Sequence, residues 1–185
     1  MSSPKKPHVF ATHELLDPVT AYNQLAPYYS QFSHQRAAYL ASVEKQIRLR
    51  IPAGAASFLD VGAGDGSRAL RIAAAAGLPG VVLLEPSSRM AGETPAGAEL
   101  WRVRVEDIAL AGIVERFDVI TCLWNVLGHI PGPDKRIRAL TNAAQLLSPN
   151  GRLFVDVIHR YNVRSYGIVM TLNSGWKQLL RLMRG

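Results

Sequence analysis

The chain predicts an α/β fold: a doubly wound, mostly parallel sheet in a three-layer α/β/α arrangement, with a helical lid ahead of it. Three observations carry this expectation. Beyond Gly54, short apolar runs at 57–61, 81–85, 100–105, 117–123 and 152–157 alternate with helical or loop segments. Such alternation implies parallel βαβ units with right-handed crossovers. The first run passes directly into a turn holding three glycines, VGAGDGS, and then into a helical pattern. Finally, 185 residues with 48% hydrophobic and 19% charged side chains suffice for one unit with a sizeable core, and no internal repeat or low-complexity tract interrupts them.

Taken in order, residues 1–18 carry Pro4, Pro7 and Pro18 with scattered charge and read as a flexible arm; residues 19–185 read as a single domain. Its lid covers 19–53. Helical periodicity runs from 20 to 50 with a break expected near Pro27, and Ala37, Leu40, Ala41, Val43, Ile47 and Leu49 fall mostly on one side. Pro52 and Gly54 stop it. The ligand-binding core spans 54–160, with helical segments at 68–76, from Ser87, near Asp107 and at 134–147 between the strands. The last part, 161–185, is a helical segment in which Trp176, Leu179, Leu180 and Met183 follow i, i+3, i+4, i+7 spacing. Arg164, Lys177, Arg181 and Arg184 read as its solvated basic face.

Charge and cysteine usage exclude several classes. A net charge of +7 favours anionic partners, but the basic residues are spread over Arg48, Arg71, Arg104, Arg116, Arg138 and Arg152, so no dedicated nucleic-acid patch is expected. Cys122 is the only cysteine, which removes an intramolecular disulfide and any multi-cysteine zinc site and suits a reducing compartment. It sits in an apolar strand and reads as a small core residue, not a nucleophile. No metal is expected. MSSPKKPHVF lacks an apolar signal region, and no stretch reaches the roughly 18 apolar residues of a membrane span; the expectation is a cytoplasmic protein without a membrane partner.

The turn after the first strand holds Gly62, Gly64 and Gly66, a spacing shared by phosphate and adenosine binders. Acids distinguish the two. Asp60 at the strand end and Asp65 in the loop would repel a pyrophosphate and suit a ligand with an ammonium or sulfonium group, both of which S-adenosyl-L-methionine carries. Glu85 ends the next strand, where a carboxylate can accept both hydroxyls of a ribose. Against these stand plainer roles: Asp60 and Asp65 as turn and cap residues, Glu85 before Pro86 as a turn acid.

Residues 58–162 resemble class I S-adenosylmethionine-dependent methyltransferases, whose core is Rossmann-like: FLDVGAGDGS is similar to their first motif, LLEPSS to the second, FDVITCLWNVLGHI to the fourth, and LLSPNGRLFVDV to the passage into the fifth strand. The resemblance implies S-adenosyl-L-methionine as cofactor, with Asp60, Gly62, Ala63, Gly64 and Gly66 around its methionine part and Glu85 with Pro86 at its ribose. Adenine would be held after the third strand. There Arg104 stands where the family often has an acid, and arginine cannot accept a hydrogen bond, so either the backbone at Val105 or the Glu106 carboxylate would serve.

CLWNVLGH is similar to the corresponding stretch of glycine N-methyltransferase-like enzymes, which implies site roles for Leu123, Asn125 and His129, a carboxylate-binding role for Arg160, and closure over the cofactor by Tyr29 and Arg36. The implied reaction is N- or O-methylation of a small molecule, with an amino or carboxylate-bearing acceptor. Two alternatives compete: a non-catalytic binding module, and an RNA methyltransferase, although LWNV is not the Asn/Asp-Pro-Pro-aromatic site of adenine N6 enzymes. The family's C-terminal β-hairpin finds no room in the 28 residues after Val157, so the fifth strand is expected as an open edge through which a homo-oligomer could form.

Overall fold

The computed structural model describes residues 16–158 and 163–183. Five strands, β1 (Ser57–Val61), β2 (Gly80–Leu84), β3 (Ala98–Trp101), β4 (Phe117–Cys122) and β5 (Leu147–Val155), form one sheet in the order β3-β2-β1-β4-β5. Every pairing is parallel. The chain winds outward from β1 to β3 and then returns to β4 on the far side of β1, so the winding reverses between β1 and β4. Open α/β sheets bind ligands at that reversal, beyond the carboxyl ends of the strands.

Side-chain alternation along the strands feeds two cores. On one face Leu59, Val61, Leu84 and Ile120 pack with Ala139 and Ala143 of α6 (Pro133–Gln145). On the other Phe58, Leu83 and Val119 pack with Ile47 of α2 (Ala37–Arg48) and Ile72 of α3 (Ser67–Ala76). These are the outer layers. The remaining helices are α1 (Pro18–His34), the single turns α4 (Ser88–Ala91) and α5 (Val126–His129), and α7 (Val163–Leu182), whose helical geometry is interrupted at Gly167. A 3-10 helix, Val105–Ala111, links β3 towards β4.

The boundaries that bear on the site differ from the sequence reading. Helix α1 begins at Pro18 behind the capping residue Asp17, and it runs through Pro27; the break falls at Gln35 and Arg36 instead. A proline removes one amide donor, and here the flanking turns hold. Strand β3 ends at Trp101, so Arg104 and Val105 lie beyond it. Strand β5 starts at Leu147: Phe117 pairs with Leu147 and Val119 with Arg152, so the intervening residues bulge out of the ladder. Gly151 in that bulge has no room for a side chain, because a Cβ there would press on the Phe117 carbonyl. Among the described residues no strand follows β5, which is an edge of the sheet.

Candidate functional site

A cavity of about 310 Å³ opens at the carboxyl ends of β1, β2 and β4, beneath α1. Its floor is the glycine turn. Gly62 has φ +68°, where a side chain would also collide with Val126, and Gly66 has φ +73°, where one would collide with Leu83. Glycine at these two positions therefore serves the tightness of the turn; Gly62, Ala63 and Gly64 line the cavity, whereas Gly66 starts α3 from outside it. The exposed carboxylate of Asp65 accepts a hydrogen bond from the Ser67 amide (3.0 Å) at the start of the same helix, and Asp65 also borders the cavity.

Glu85 stands at the tip of β2, buried, with Pro86 beside it in the wall. Its Oε2 accepts from the Gly64 amide (3.0 Å) and its Oε1 from the Ser87 amide (2.8 Å). Burial raises its pKa above the usual carboxylate value, and the two amides pull it back only in part. A carboxylate has about four lone-pair positions, so two acceptor positions remain for a ligand.

Asp60 is placed differently from the cavity position expected of it from the sequence. Its side chain is fully buried in the sheet and does not line the cavity. Oδ1 accepts from the Thr121 hydroxyl on β4 (2.6 Å), and Arg68 of α3 lies 3.2 Å from Oδ2. Burial opposes the charge on Arg68, yet the Asp60 carboxylate outweighs it and holds the guanidinium pKa above its ordinary value. Arg68 thus covers Asp60 and presents itself to the cavity in its place. The acids that do face the cavity are Asp65, Glu85 and Glu106.

Beyond β3, Arg104 donates to Asp17 Oδ1 (2.6 Å), and Asp17 Oδ2 in turn accepts from the Val19 amide (3.1 Å) at the start of α1. Arg104 and Val105 line the cavity, but the Val105 carbonyl is already engaged by Asn142 Nδ2 (2.9 Å), a buried side chain of α6. Glu106, buried alongside, has Arg104 Nη1 4.0 Å away.

The roof is aromatic. Tyr22 and Tyr29, two helical turns apart on α1, both face the cavity. The Tyr22 ring meets His129 edge-on at 5.3 Å, Tyr29 meets Trp124 at 5.5 Å, and Phe32 stacks on Trp124 at 6.0 Å. Burial pushes the Tyr29 phenol up to about 12, so it stays protonated at neutral pH. Asn23 latches this roof: its Oδ1 accepts from the Ser87 hydroxyl (2.8 Å) and the Arg89 amide (3.1 Å). Arg36 lies outside the cavity, its guanidinium 5.5 Å from the Phe32 ring centroid.

After β4, Leu123 and Trp124 line the cavity, and Trp124 (φ 62°) and Asn125 (φ 61°) both adopt the left-handed region that non-glycine residues rarely occupy. Asn125 is held there by its surroundings: its amide donates to Asp156 Oδ1 (2.6 Å), its Oδ1 accepts from the Ile158 amide (3.4 Å), and Gly128 leaves space for its side chain. It shapes the loop without lining the cavity. His129 does line it from an exposed position, and partial desolvation there lowers its pKa below the usual 6.5, leaving a neutral imidazole at pH 7. Arg160 lies outside the described residues.

The structure therefore brings Gly62, Ala63, Gly64, Glu85, Pro86, Arg104, Val105, Leu123 and His129 together around the cavity and leaves Asp60, Gly66, Arg36 and Asn125 behind its walls. Sequence reasoning missed Arg68, Tyr22 and Asn23. The seven-residue spacing of Tyr22 and Tyr29 was a usable signal once α1 is allowed to continue through Pro27.

Comparisons with known proteins agree with this architecture. A family model described as "Methyltransferase domain" matches residues 32–184. A ubiquinone biosynthesis O-methyltransferase of Coxiella burnetii is 42% identical over 52 residues, a match covering 28% of this chain and 20% of the relative. Among solved structures, a sugar N-methyltransferase from Streptoalloteichus sp. ATCC 53650 superposes with TM-score 0.59 at 22% identity, over 70% of this chain and 53% of that one. An S-adenosylmethionine-bound amino pentose methyltransferase from Micromonospora echinaspora superposes with TM-score 0.59 at 24% identity, over 71% and 56%. At these identities the likeness shows the fold, and this chain spans little more than half the length of either structure.

Proposed function

Because the chain belongs to the methyltransferase-domain family, we propose that the cavity binds S-adenosyl-L-methionine and that the protein methylates a nitrogen or oxygen of a small molecule. The observation that carries this reading is Glu85: a buried carboxylate at the tip of β2, braced by the Gly64 amide of the glycine turn, with acceptor positions left over. A vicinal pair of ribose hydroxyls is the ligand group such a carboxylate takes. Leu84, Val105 and Ile130 supply apolar walls suited to a flat base, and Glu106, not Arg104, is the side chain able to accept from an adenine amino group.

S-adenosyl-L-methionine supplies a methyl group on a positively charged sulfur, which needs an aligned acceptor and no covalent catalyst. The chain's own residues meet that need. Asp65, Glu85 and Glu106 give the cavity negative charge that suits a cationic ligand, while Arg68 offers a guanidinium for its carboxylate end. Tyr22, Tyr29 and Trp124 shield the reacting groups from water. An unprotonated ring nitrogen of His129 accepts the proton that an amine or hydroxyl acceptor sheds. The relatives' names, a sugar N-methyltransferase and a ubiquinone biosynthesis O-methyltransferase, support a small acceptor of either kind.

Calorimetric titration with S-adenosylhomocysteine tests this. Saturable binding tighter than about 1 mM is expected, weakened at least about tenfold, or 1.4 kcal/mol, in Glu85→Ala with the circular dichroism spectrum unchanged. No saturation, or preferential uptake of a nicotinamide dinucleotide, overturns the reading. Binding without turnover across a panel of amines, phenols and carboxylates would reduce it to a non-catalytic binding module.

A further inference from the structure

No described side chain of α7 lines the cavity, and the composition of this segment sets it apart from the rest of the chain. Residues 157–185 hold five basic residues, Arg160, Arg164, Lys177, Arg181 and Arg184, and no acid, whereas the preceding 156 residues balance 16 Lys and Arg against 14 Asp and Glu. Most of the protein's net charge of +7 thus resides in this one segment. Apolar side chains described along it stand in water: Ile168 is 65% exposed, Val169 79%, Leu172 68%, Trp176 61% and Met183 74%. At 3.6 residues per turn these five positions fall within an arc of roughly 100°, a continuous apolar row.

An exposed row of this kind marks a contact surface, and charge selects among its occupants. A second copy of the chain would bring five more positive charges against the first. A nucleic acid would match the charge and leave Trp176 and its apolar neighbours in water. An anionic lipid surface answers both: acyl chains for the apolar row, headgroups for the basic residues, each Lys or Arg near such a surface contributing about 1 kcal/mol. Ahead of the segment, the end of β5 is tied to the loop after β4: the Asp156 amide donates to the Cys122 carbonyl (3.2 Å) and the Ile158 amide to Asn125 Oδ1.

We propose that α7 is an interfacial helix that docks the protein on an anionic lipid surface through the Ile168, Leu172, Trp176 and Met183 row, in a segment whose sequence is basic and without acids. No helix among the described residues is long and apolar enough to cross a membrane, and docking in the plane of the interface needs none. The sequence expectation of no membrane partner rested on the absence of an apolar signal region in MSSPKKPHVF and on spanning length.

Flotation of the full chain with vesicles tests this, comparing pure phosphatidylcholine with phosphatidylcholine containing about 30% phosphatidylglycerol, the lipid difference that sets surface potential. Expected is at least tenfold stronger partition onto the anionic vesicles, declining as salt rises. Trp176→Asp and, separately, the pair Lys177→Glu and Arg181→Glu should each lose at least tenfold while keeping the wild-type far-ultraviolet spectrum and melting point. Should Trp176→Asp fail to fold, the charge pair alone decides. Equal partition onto both vesicles, no flotation, or variants that float like the wild type overturn the proposal. So do a dimer in sedimentation that Trp176→Asp dissolves, and salt-sensitive RNA binding without vesicle binding.

Discussion

At the scale of single residues, Arg68 decides what the cavity presents to a ligand, because it converts a buried acid at the tip of β1 into a covered ion pair. Removing one partner of such a pair leaves an uncompensated charge in the core. Arg68→Met is therefore expected to lower folding stability by about 3–5 kcal/mol, and Asp60→Asn added to it should restore a large part; urea denaturation of the three variants measures both. A small effect of Arg68→Met would mean that Thr121 alone satisfies Asp60. Glu85 gives the pH dependence. Burial raises its folded pKa above the usual 4.5, so the charged form is disfavoured in the fold: the stability linked to this group is full below the unfolded value and is lost as pH rises through the folded one. The ribose contact proposed for Glu85 runs the opposite way, since a protonated carboxyl loses acceptor capacity. Affinity for S-adenosylhomocysteine should fall as pH drops through the raised Glu85 pKa, and Glu85→Gln should flatten that slope in a calorimetric pH series.

At the scale of elements, α1 is a lid fastened at three places: Asp17 to Arg104, Asn23 to Ser87 and Arg89, and the aromatic pairs that bring Tyr22 against His129 and Tyr29 against Trp124. Of these the Asn23 latch is the one that can be removed without touching a cavity-lining side chain. Asn23→Leu leaves the Arg89 amide and the Ser87 hydroxyl without their acceptor, at a net cost of about 1 kcal/mol. Faster amide exchange confined to α1, and faster release of S-adenosylhomocysteine in stopped flow, are expected; unchanged exchange in α1 would show that the aromatic contacts alone hold it. The elements also show what a sequence can reveal. β1 and β4 were legible because their apolar runs end at marked positions, the glycine turn and the polar loop at Trp124 and Asn125. The existence of β3 was legible too, but its end was not: WRVRV alternates like a strand, yet Arg104 is drawn away to Asp17 on α1, a partner 87 residues distant that no local pattern announces. Pro27 misled for a similar reason, since contacts on both sides of it, at Tyr22 and Tyr29, hold the two halves of α1 in line.

At the scale of the whole molecule, a residue's place at the cavity was legible wherever it follows from a strand tip, as with Glu85, and illegible wherever it depends on what else reaches the same space, as with Asp60 under Arg68. The same dependence makes the fold cooperative. Phe58 and Leu59 are adjacent on β1, both fully buried, and point to opposite faces of the sheet, the first towards α2 and α3, the second towards α6. Each face has its own core, but both cores hang on β1 and β4, which pair with each other at the centre. Loss of either core should therefore unravel the other. Phe58→Ala is expected to cost about 3–5 kcal/mol and Leu59→Ala about 2–5 kcal/mol, each appearing as a shift of one common transition in far-ultraviolet ellipticity and tryptophan emission. Trp101 packs against the Leu59 core, so its emission follows that face while ellipticity follows the helices of both. Two separated transitions in Phe58→Ala, with the Trp101 face surviving, would show instead that the layers fold as independent units and that the central strands do not couple them.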